Sequence, residues 1–205
     1  HLSIRRQRQM CIRDREATAE RGSDISMVVA HAFREMAKAS DIAIQNGGGV
    51  RTDIAKGDLT MGDAYKLLPF ANTLVEMQMT GAEIKTVLEE ALDYALQPDG
   101  SDGAYPYAAG LRWHLDISKP MGERLSGMEF KGRDDNSWMP LGMNTSYTLV
   151  TNNYVAGGRD GYLSFKTVKN DGRYVDTYLD YAQSFVDYVE AVSYTHLRAH
   201  ETSLH

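Results

Sequence analysis

Two glycine-rich segments, each containing an arginine, are the first candidates for chemistry in this sequence. Residues 46–51 read Asn-Gly-Gly-Gly-Val-Arg, and residues 152–162 contain three glycines and Arg159. Glycine lets backbone N–H groups approach an anion, and the planar guanidinium of arginine pairs well with phosphate oxygens. An aromatic ring such as that of Phe70 or Tyr154 can stack on a nucleobase. The pattern indicates a mononucleotide site, although glycine loops also form turns and aromatic residues also fill cores.

A self-contained catalytic centre is not evident in residues 16–190. This segment has no H-E-x-x-H, paired-cysteine, G-x-S-x-G or P-loop pattern. Its two histidines, His31 and His114, fall on a predicted helix and on the polar side of a predicted strand, which favours surface or packing roles. No His and Asp residues cluster at the spacing of a two-metal site. We therefore predict no catalytic residue and no metal ligand in this segment.

The composition is that of a globular protein. The 205 residues are 42% apolar and 24% charged, enough for one domain with a real core. Mean hydropathy is −0.42, and no stretch approaches the roughly 18 apolar residues of a membrane-spanning helix. We expect a single domain without a transmembrane segment.

The two ends of the sequence are related through the DNA that would encode them. If residues 10–14 are written as ATG TGT ATA AGA GAC, the complementary strand encodes Val-Ser-Tyr-Thr-His, which is the sequence of residues 192–196. The flanking residues resemble translated transposase-tagging sequencing adapters. We predict that residues 1–15 and 191–205 are adapter-derived and not native. An Arg-rich nucleic-acid arm and a His-rich metal tail are the alternatives, but neither accounts for this relation.

The segment that remains is acidic. The terminal segments hold six of the 22 Lys and Arg residues and two of the 28 Asp and Glu residues, which leaves 16 basic against 26 acidic side chains in residues 16–190. A net charge near −10 repels a phosphate backbone, so we expect no nucleic-acid polymer as partner. A small anion can still be held by a few focused arginines.

Hydrophobic periodicity predicts helices and strands in no regular alternation. A helix is predicted from about residue 25 to 36, another from 81 to 95 behind the capping box Thr80–Glu83, and a last one from about 175 to 189. Strands are predicted at 41–45, 73–79, 111–117 and 147–151. We therefore predict an α+β fold with a mixed β-sheet and packed helices in one domain.

Five ordered motifs carry a family resemblance that covers essentially all of residues 16–190. They are Asn46–Arg51, Leu68–Asn72, Met79–Glu83, Gly103–Pro106 and Asn153–Tyr162. In order and spacing they resemble the C-terminal domain of the 5′-nucleotidase family, which includes bacterial UDP-sugar hydrolases. The resemblance implies that residues 16–190 form a substrate-binding domain, a fragment of a longer protein.

The resemblance also implies roles for particular residues. Phe70 and Tyr154 would sandwich the base, where many members have phenylalanine in place of Tyr154, and Asn72 would hydrogen-bond the base edge. The ribose hydroxyls would be held by Asp160 and the Gly103 backbone, and the phosphate by Arg51 and Arg21. At single positions the alternatives are a core residue for Phe70, a turn cap for Asp160 and a solvated charge for Arg51.

The activity implied is metal-dependent hydrolysis of a nucleotide phosphoester. The resemblance places two divalent metal ions in a separate N-terminal metallophosphatase domain, the partner of this one, and implies a periplasmic or extracellular location. The isolated segment would bind its substrate without hydrolysing it. Two alternatives remain open: a noncatalytic extracellular module for nucleotides or other small ligands, and a two-domain phosphatase for cyclic nucleotides or another ester.

Overall fold

The computed structural model describes residues 24–54 and 59–201, with side chains for residues 25–54 and 59–192. The helices are α1 (Asp24–Met36), α2 (Met61–Leu67), α3 (Gly81–Leu96), α4 (Asn153–Ala156), α5 (Leu163–Asn170) and α6 (Tyr181–Glu201). The strands are β1 (Ile42–Asn46), β2 (Thr73–Thr80), β3 (Pro106–Ala109), β4 (Leu111–Leu115), β5 (Leu125–Phe130), β6 (Met139–Pro140), β7 (Ser146–Asn152) and β8 (Tyr174–Asp180).

A five-stranded mixed sheet forms the centre of the fold, in the order β3-β1-β7-β2-β8. Strands β1 and β7 run parallel, with Ile42 opposite Leu149, and the other pairs are antiparallel. A second sheet of three antiparallel strands has the order β4-β5-β6. The predicted α+β class with a mixed sheet is confirmed.

Alternating side chains bury both faces of the central sheet. On one face, helices α1, α2 and α6 pack against residues that include Ala43, Leu74 and Val150. On the other face, helices α3 and α5 and the small sheet pack against Ile42, Ile44 and Leu149. The sheet is therefore a buried middle layer, and its strand ends are the places where polar side chains reach solvent.

Local capping sets where helix α3 begins. The Thr80 side chain accepts a hydrogen bond from the Glu83 backbone N–H, and the Glu83 carboxylate accepts one from the Thr80 N–H at 2.8 Å. This is the predicted capping box, and it satisfies two backbone donors that the first turn of a helix leaves without partners. The same arrangement joins Thr60 and Asp63 at the start of α2.

The predicted start of the last helix near residue 175 is wrong. Residues Tyr174–Asp180 form the edge strand β8, in which Asp176 pairs with Val75 of β2. Helix α6 begins at Tyr181, and its Gln183 N–H donates to the Asp180 carboxylate at 2.7 Å. Pairing with β2 decides the conformation of this aromatic and β-branched segment, which the spacing of its apolar residues does not reveal.

The two predicted adapter segments are placed differently. Residues 1–15 lie outside the described residues, and helix α6 extends through residues 191–201. Along the described part of the chain, no helix has the combined length and apolar content that crossing a bilayer requires.

Candidate functional site

One edge of the central sheet brings the predicted site segments together. Because β1 and β7 are parallel neighbours, the segments that follow Asn46 and Asn152 leave the sheet at the same edge. Strand β2 is antiparallel to β7 and pairs Leu74 with Asn152, so residues 70–72 enter the sheet there. Strand β3 pairs Pro106 with Asn46, which places the turn at Gly103 at this edge too. Sheet topology thus assembles segments that are far apart in sequence.

The glycine segment after β1 packs closely against its own protein. A Cβ atom on Gly48 would lie 3.1 Å from the Cα atom of Gly103, and one on Gly49 would overlap the Gln45 side-chain amide and the Tyr181 hydroxyl. The Gly47 N–H donates to the Tyr105 carbonyl at 2.9 Å. These glycines therefore serve close packing between segments and not only flexibility.

Arg51 and Phe70 lie side by side on neighbouring segments. The Arg51 N–H donates to the Leu67 carbonyl at 2.9 Å, which ties the end of the glycine segment to the end of α2. The Arg51 Cζ atom lies 5.9 Å from the centroid of the Phe70 ring, near the outer limit of a cation–π contact. Phe70 is 45% exposed, so a planar group can reach its ring.

Asn72 has its backbone fixed and its side chain half-buried. Its carbonyl accepts a hydrogen bond from the Tyr181 N–H at 3.0 Å, at the first residue of α6. Its side chain lies beside the start of β2, at the same edge of the sheet as Asn152. The backbone position of Asn72, from which its side-chain amide extends, is therefore fixed.

Asp160 is held in an unusual conformation, with two donors directed at its carboxylate. Its φ is +54°, in the left-handed region that aspartate visits more readily than most residues. Asn46 Nδ2 donates to Oδ2 at 2.9 Å, and the Tyr154 hydroxyl donates to Oδ1 at 3.0 Å. The Asp160 carboxylate thus accepts hydrogen bonds from two other side chains and is not simply the cap of its own turn.

A buried amide network stands behind Asp160. Asn152 Nδ2 donates to Asn46 Oδ1 at 3.0 Å and to Gln45 Oε1 at 2.9 Å. Gln45 Nε2 donates to the Tyr181 hydroxyl at 2.8 Å. Gln45, Asn46 and Asn152 are at most 3% exposed. Because each amide is held by its neighbours, the Asn46 NH2 group is directed toward the Asp160 carboxylate.

Helix α3 anchors the segment that carries Asp160. The Glu90 carboxylate accepts hydrogen bonds from the Ser164 N–H and hydroxyl, both at 2.8 Å, at the start of α5. Gly161 has φ +79°, and a Cβ atom there would lie 2.5 Å from the Tyr94 Cβ atom. The chain directly after Asp160 is therefore held against α3.

The tyrosine hydroxyls at the site are protonated at neutral pH, because their pKa values are raised. Burial raises the pKa of Tyr154, and the hydrogen bond and negative charge of Asp160 raise it further. Burial likewise raises the pKa of Tyr181 and of Tyr162, and the Tyr162 hydroxyl donates to the Ala104 carbonyl at 2.9 Å. A protonated phenol costs less free energy than a buried phenolate.

The structure brings six of the seven predicted site residues to one edge of the sheet: Arg51, Phe70, Asn72, Gly103, Tyr154 and Asp160. The seventh, Arg21, lies outside the described residues. The sequence pattern did not predict the positioning roles of Asn46, Asn152 and Gln45. Asn46 and Asn152 each end a buried strand directly before a glycine-rich segment, and a polar residue at such a strand end is the signal that indicates them.

Among the side chains that the structure describes, no group of three or more His, Cys, Asp or Glu residues is arranged to hold a metal ion. His31 lies on α1, where partial burial of its ring together with the charge of Arg34 lowers its pKa. His114 lies on β4 with its ring against Gly127.

Comparison with known proteins places this chain in a family. A family model described as the C-terminal domain of 5′-nucleotidase matches residues 6–169. The chain is 42% identical over 185 residues to the NAD 5′-nucleotidase of Haemophilus influenzae, a match that covers 89% of this chain and 30% of that protein. Hence it spans less than a third of this relative.

Solved structures agree with that match. The structure of the Haemophilus influenzae NAD nucleotidase has a TM-score of 0.76 and 41% identity, over 83% of this chain and 30% of that one. A 5′-nucleotidase precursor from Thermus thermophilus has a TM-score of 0.74 and 35% identity, over 83% of this chain and 32% of that one. The chain therefore belongs to the 5′-nucleotidase family and corresponds to its C-terminal domain.

Proposed function

We propose that this chain is the substrate-binding domain of a 5′-nucleotidase-type phosphoester hydrolase. We further propose that the residues gathered at one edge of its central sheet hold a nucleotide. One observation carries the proposal: a guanidinium, two exposed aromatic rings and an oriented carboxylate converge at one edge of the sheet. These are Arg51, Phe70, Tyr154 and Asp160. The guanidinium suits the phosphate of a nucleotide, the two rings suit its base, and the carboxylate suits the hydroxyls of its sugar.

The base would lie between Phe70 and Tyr154. The two side chains are 45% and 44% exposed, and each is attached to a segment that the sheet holds in place. Stacking on an aromatic residue contributes about 1–3 kcal/mol per base. The half-buried Asn72 amide offers both a donor and an acceptor to the base edge.

The sugar and phosphate would be held on either side of the base. The Asp160 carboxylate accepts hydrogen bonds from the ribose hydroxyls. The backbone at Gly103 makes further hydrogen bonds with the same hydroxyls. Arg51 holds the phosphate, together with Arg21. A guanidinium suits a phosphate better than an ammonium does, because its N–H groups pair with two oxygens at once.

Hydrolysis would need a second domain. We assign the two divalent metal ions to an N-terminal metallophosphatase domain, where they would supply an activated water for attack on phosphorus. This chain contributes binding and orientation: it fixes the nucleoside so that the phosphate faces the partner domain. By the same family relationship we propose a periplasmic or extracellular location for the whole protein.

Calorimetric titration of the purified chain tests the proposal. AMP, UMP, adenosine and NAD are titrated in turn. NAD is included because one relative is named NAD 5′-nucleotidase. We expect binding without release of inorganic phosphate. Phe70→Ala removes one stacking surface and should weaken nucleoside binding about five- to a hundredfold, the loss of one stacked base.

The matched control is Tyr65→Ala, which removes a ring that is 44% exposed on α2. The Tyr65→Ala variant should bind adenosine as tightly as the unchanged chain does. Failure of the folded chain to bind any of the four ligands, or full binding by Phe70→Ala, would contradict the proposal. Turnover by the chain alone would contradict the assignment of catalysis to a second domain.

A further inference from the structure

The geometry points to Tyr154 as a determinant of sugar specificity: its hydroxyl presets the Asp160 carboxylate to receive a vicinal diol. This inference rests on the proposed function and goes beyond it, because the role assigned there to Tyr154 is stacking by its ring alone. The hydroxyl is the part of the side chain that a phenylalanine at this position would lack.

The pattern of donors around Asp160 suits two neighbouring hydroxyl groups. A carboxylate can accept about four hydrogen bonds, two on each oxygen. Tyr154 takes one position on Oδ1 at 3.0 Å, and Asn46 takes one on Oδ2 at 2.9 Å. Each oxygen keeps one further lone pair, so a pair of adjacent hydroxyls can donate to both oxygens at once.

One buried residue positions both donors. Asn152 Nδ2 donates to Asn46 Oδ1 at 3.0 Å, which directs the Asn46 NH2 group at Asp160. Asn152 Oδ1 accepts from the Val155 N–H at 3.1 Å and so caps α4, the short helix that carries Tyr154. The aromatic ring and the carboxylate are thereby held in one fixed relation.

The two donors differ in exposure. Asn46 is 3% exposed, whereas Tyr154 is 44% exposed and stands at the rim of the site. A phenylalanine at position 154 would present nearly the same ring to a base but no donor to Asp160. Only one oxygen of the Asp160 carboxylate would then accept a hydrogen bond from the protein. Part of the binding free energy would be used to order the carboxylate, so the affinity for the sugar would fall.

The test separates the sugar from the base. Adenosine and 2′,3′-dideoxyadenosine are titrated into the chain and into Tyr154→Phe by calorimetry. We expect Tyr154→Phe to weaken adenosine binding about tenfold, the lower end of the range for one hydrogen bond to a charged group. Binding of the dideoxynucleoside, which has no diol, should stay within about twofold.

Two further variants define the mechanism. Tyr65→Phe removes a hydroxyl from another tyrosine that is 44% exposed and should leave both affinities unchanged. Asp160→Gly removes the carboxylate at a position where φ is +54°, which glycine adopts without strain. In that background, Tyr154→Phe should cause no further loss of adenosine affinity, because the hydroxyl acts through Asp160.

Each outcome decides one of the two proposals. If the unchanged chain binds neither nucleoside, the proposed function is wrong and this inference falls with it. If it binds both equally well, nucleotide binding stands, but the contact of Asp160 with the ribose and the role of the Tyr154 hydroxyl are both wrong. If Tyr154→Phe weakens both equally or neither, only the role of the hydroxyl is wrong. A loss that persists in the Asp160→Gly background also overturns this inference.

Discussion

The side-chain amide of Asn46 and the carboxylate of Asp160 are joined by a 2.9 Å hydrogen bond across 114 residues of sequence. The donor ends a buried strand, and the acceptor lies in a segment with left-handed backbone. This bond links the two glycine-rich segments that the sequence marks separately. The site is therefore one connected structure and not two independent loops.

Asn46→Ala is expected to impair both stability and binding. It leaves Asp160 with one donor and removes one acceptor of Asn152, and buried hydrogen-bonding groups left unpaired cost about 1–3 kcal/mol of unfolding free energy. Adenosine affinity should fall more than that of 2′,3′-dideoxyadenosine, since the sugar contact depends on Asp160. Urea denaturation and calorimetry measure the two effects.

Asn144→Ala is the control for that variant, because Asn144 is an exposed asparagine in the turn between β6 and β7. It should match the unchanged chain in both measurements. An Asn46→Ala variant that loses stability but keeps the full preference for adenosine would show that Asn46 does not position Asp160.

Arg51→Ala is expected to weaken AMP binding much more than adenosine binding. Removing a charge-assisted contact to phosphate costs about 1.5–3 kcal/mol, which is about ten- to a hundredfold in affinity. Arg112→Ala serves as control, because Arg112 on β4 has its Cζ atom 4.5 Å from the centroid of the Trp138 ring and belongs to the small sheet, not to the site. Equal losses of AMP and adenosine affinity in Arg51→Ala would argue against a phosphate contact.

Gly49→Ala is expected to lower the free energy of unfolding by about 1–3 kcal/mol. A methyl group at this position would overlap the Gln45 amide and the Tyr181 hydroxyl and force the buried network apart. Gly62→Ala on α2 is the matched control, because its nearest neighbour would be Thr60 Oγ1 at 3.6 Å. That helical change should raise stability by about 0.5–1 kcal/mol. Equal stability of the two variants in urea would refute the packing argument.

Glu83 is expected to make stability depend on acid pH. Its hydrogen bonds from Arg173, at 2.8 and 2.9 Å, and from Thr80 lower its pKa from 4.5 to about 2. A lowered pKa stabilises the fold above pH 4.5, and this contribution is lost as the pH falls toward 2. Because both partners are about a third exposed, we expect only about 1 kcal/mol.

Thermal unfolding between neutral and acid pH measures this contribution. Glu83→Gln should be less stable than the unchanged chain at neutral pH, and the difference should shrink as the pH approaches 2. Glu123→Gln, at an exposed position in the turn before β5, should leave the pH profile unchanged. A difference between Glu83→Gln and the unchanged chain that stays constant with pH would contradict the role of this carboxylate.

The elements predicted correctly are those with strong local patterns. Helices α1 and α3 follow from the spacing of their apolar residues, and the start of α3 follows from its Thr80–Glu83 capping box. Strands β1, β2, β4 and β7 follow from short apolar or alternating runs, with ends that differ by one or two residues from the prediction. Periodicity works for α1, α3 and β4 because one side of each faces the core, whereas β1 is a short apolar run that is buried on both faces.

Strand β8 is the element for which local pattern predicts the wrong structure, and the reason is non-local. Its residues hydrogen-bond to β2, about a hundred positions earlier: the Thr177 hydroxyl donates to the Leu74 carbonyl at 2.7 Å. An edge strand has one neighbour and a mixed burial pattern, so its apolar residues show no clear period.

The family, the core-facing sides of most elements and the candidate site residues all follow from the amino-acid sequence alone, because ordered motifs and local periodicity are properties of the chain. How those residues act together follows only from the folded arrangement. The bonds of Tyr154 and Asn46 to Asp160, and of Gln45 to Tyr181 across 136 residues, depend on which strands are neighbours. A hydrogen bond requires atoms about 3 Å apart in a fixed direction, and sequence spacing carries no such information between distant segments.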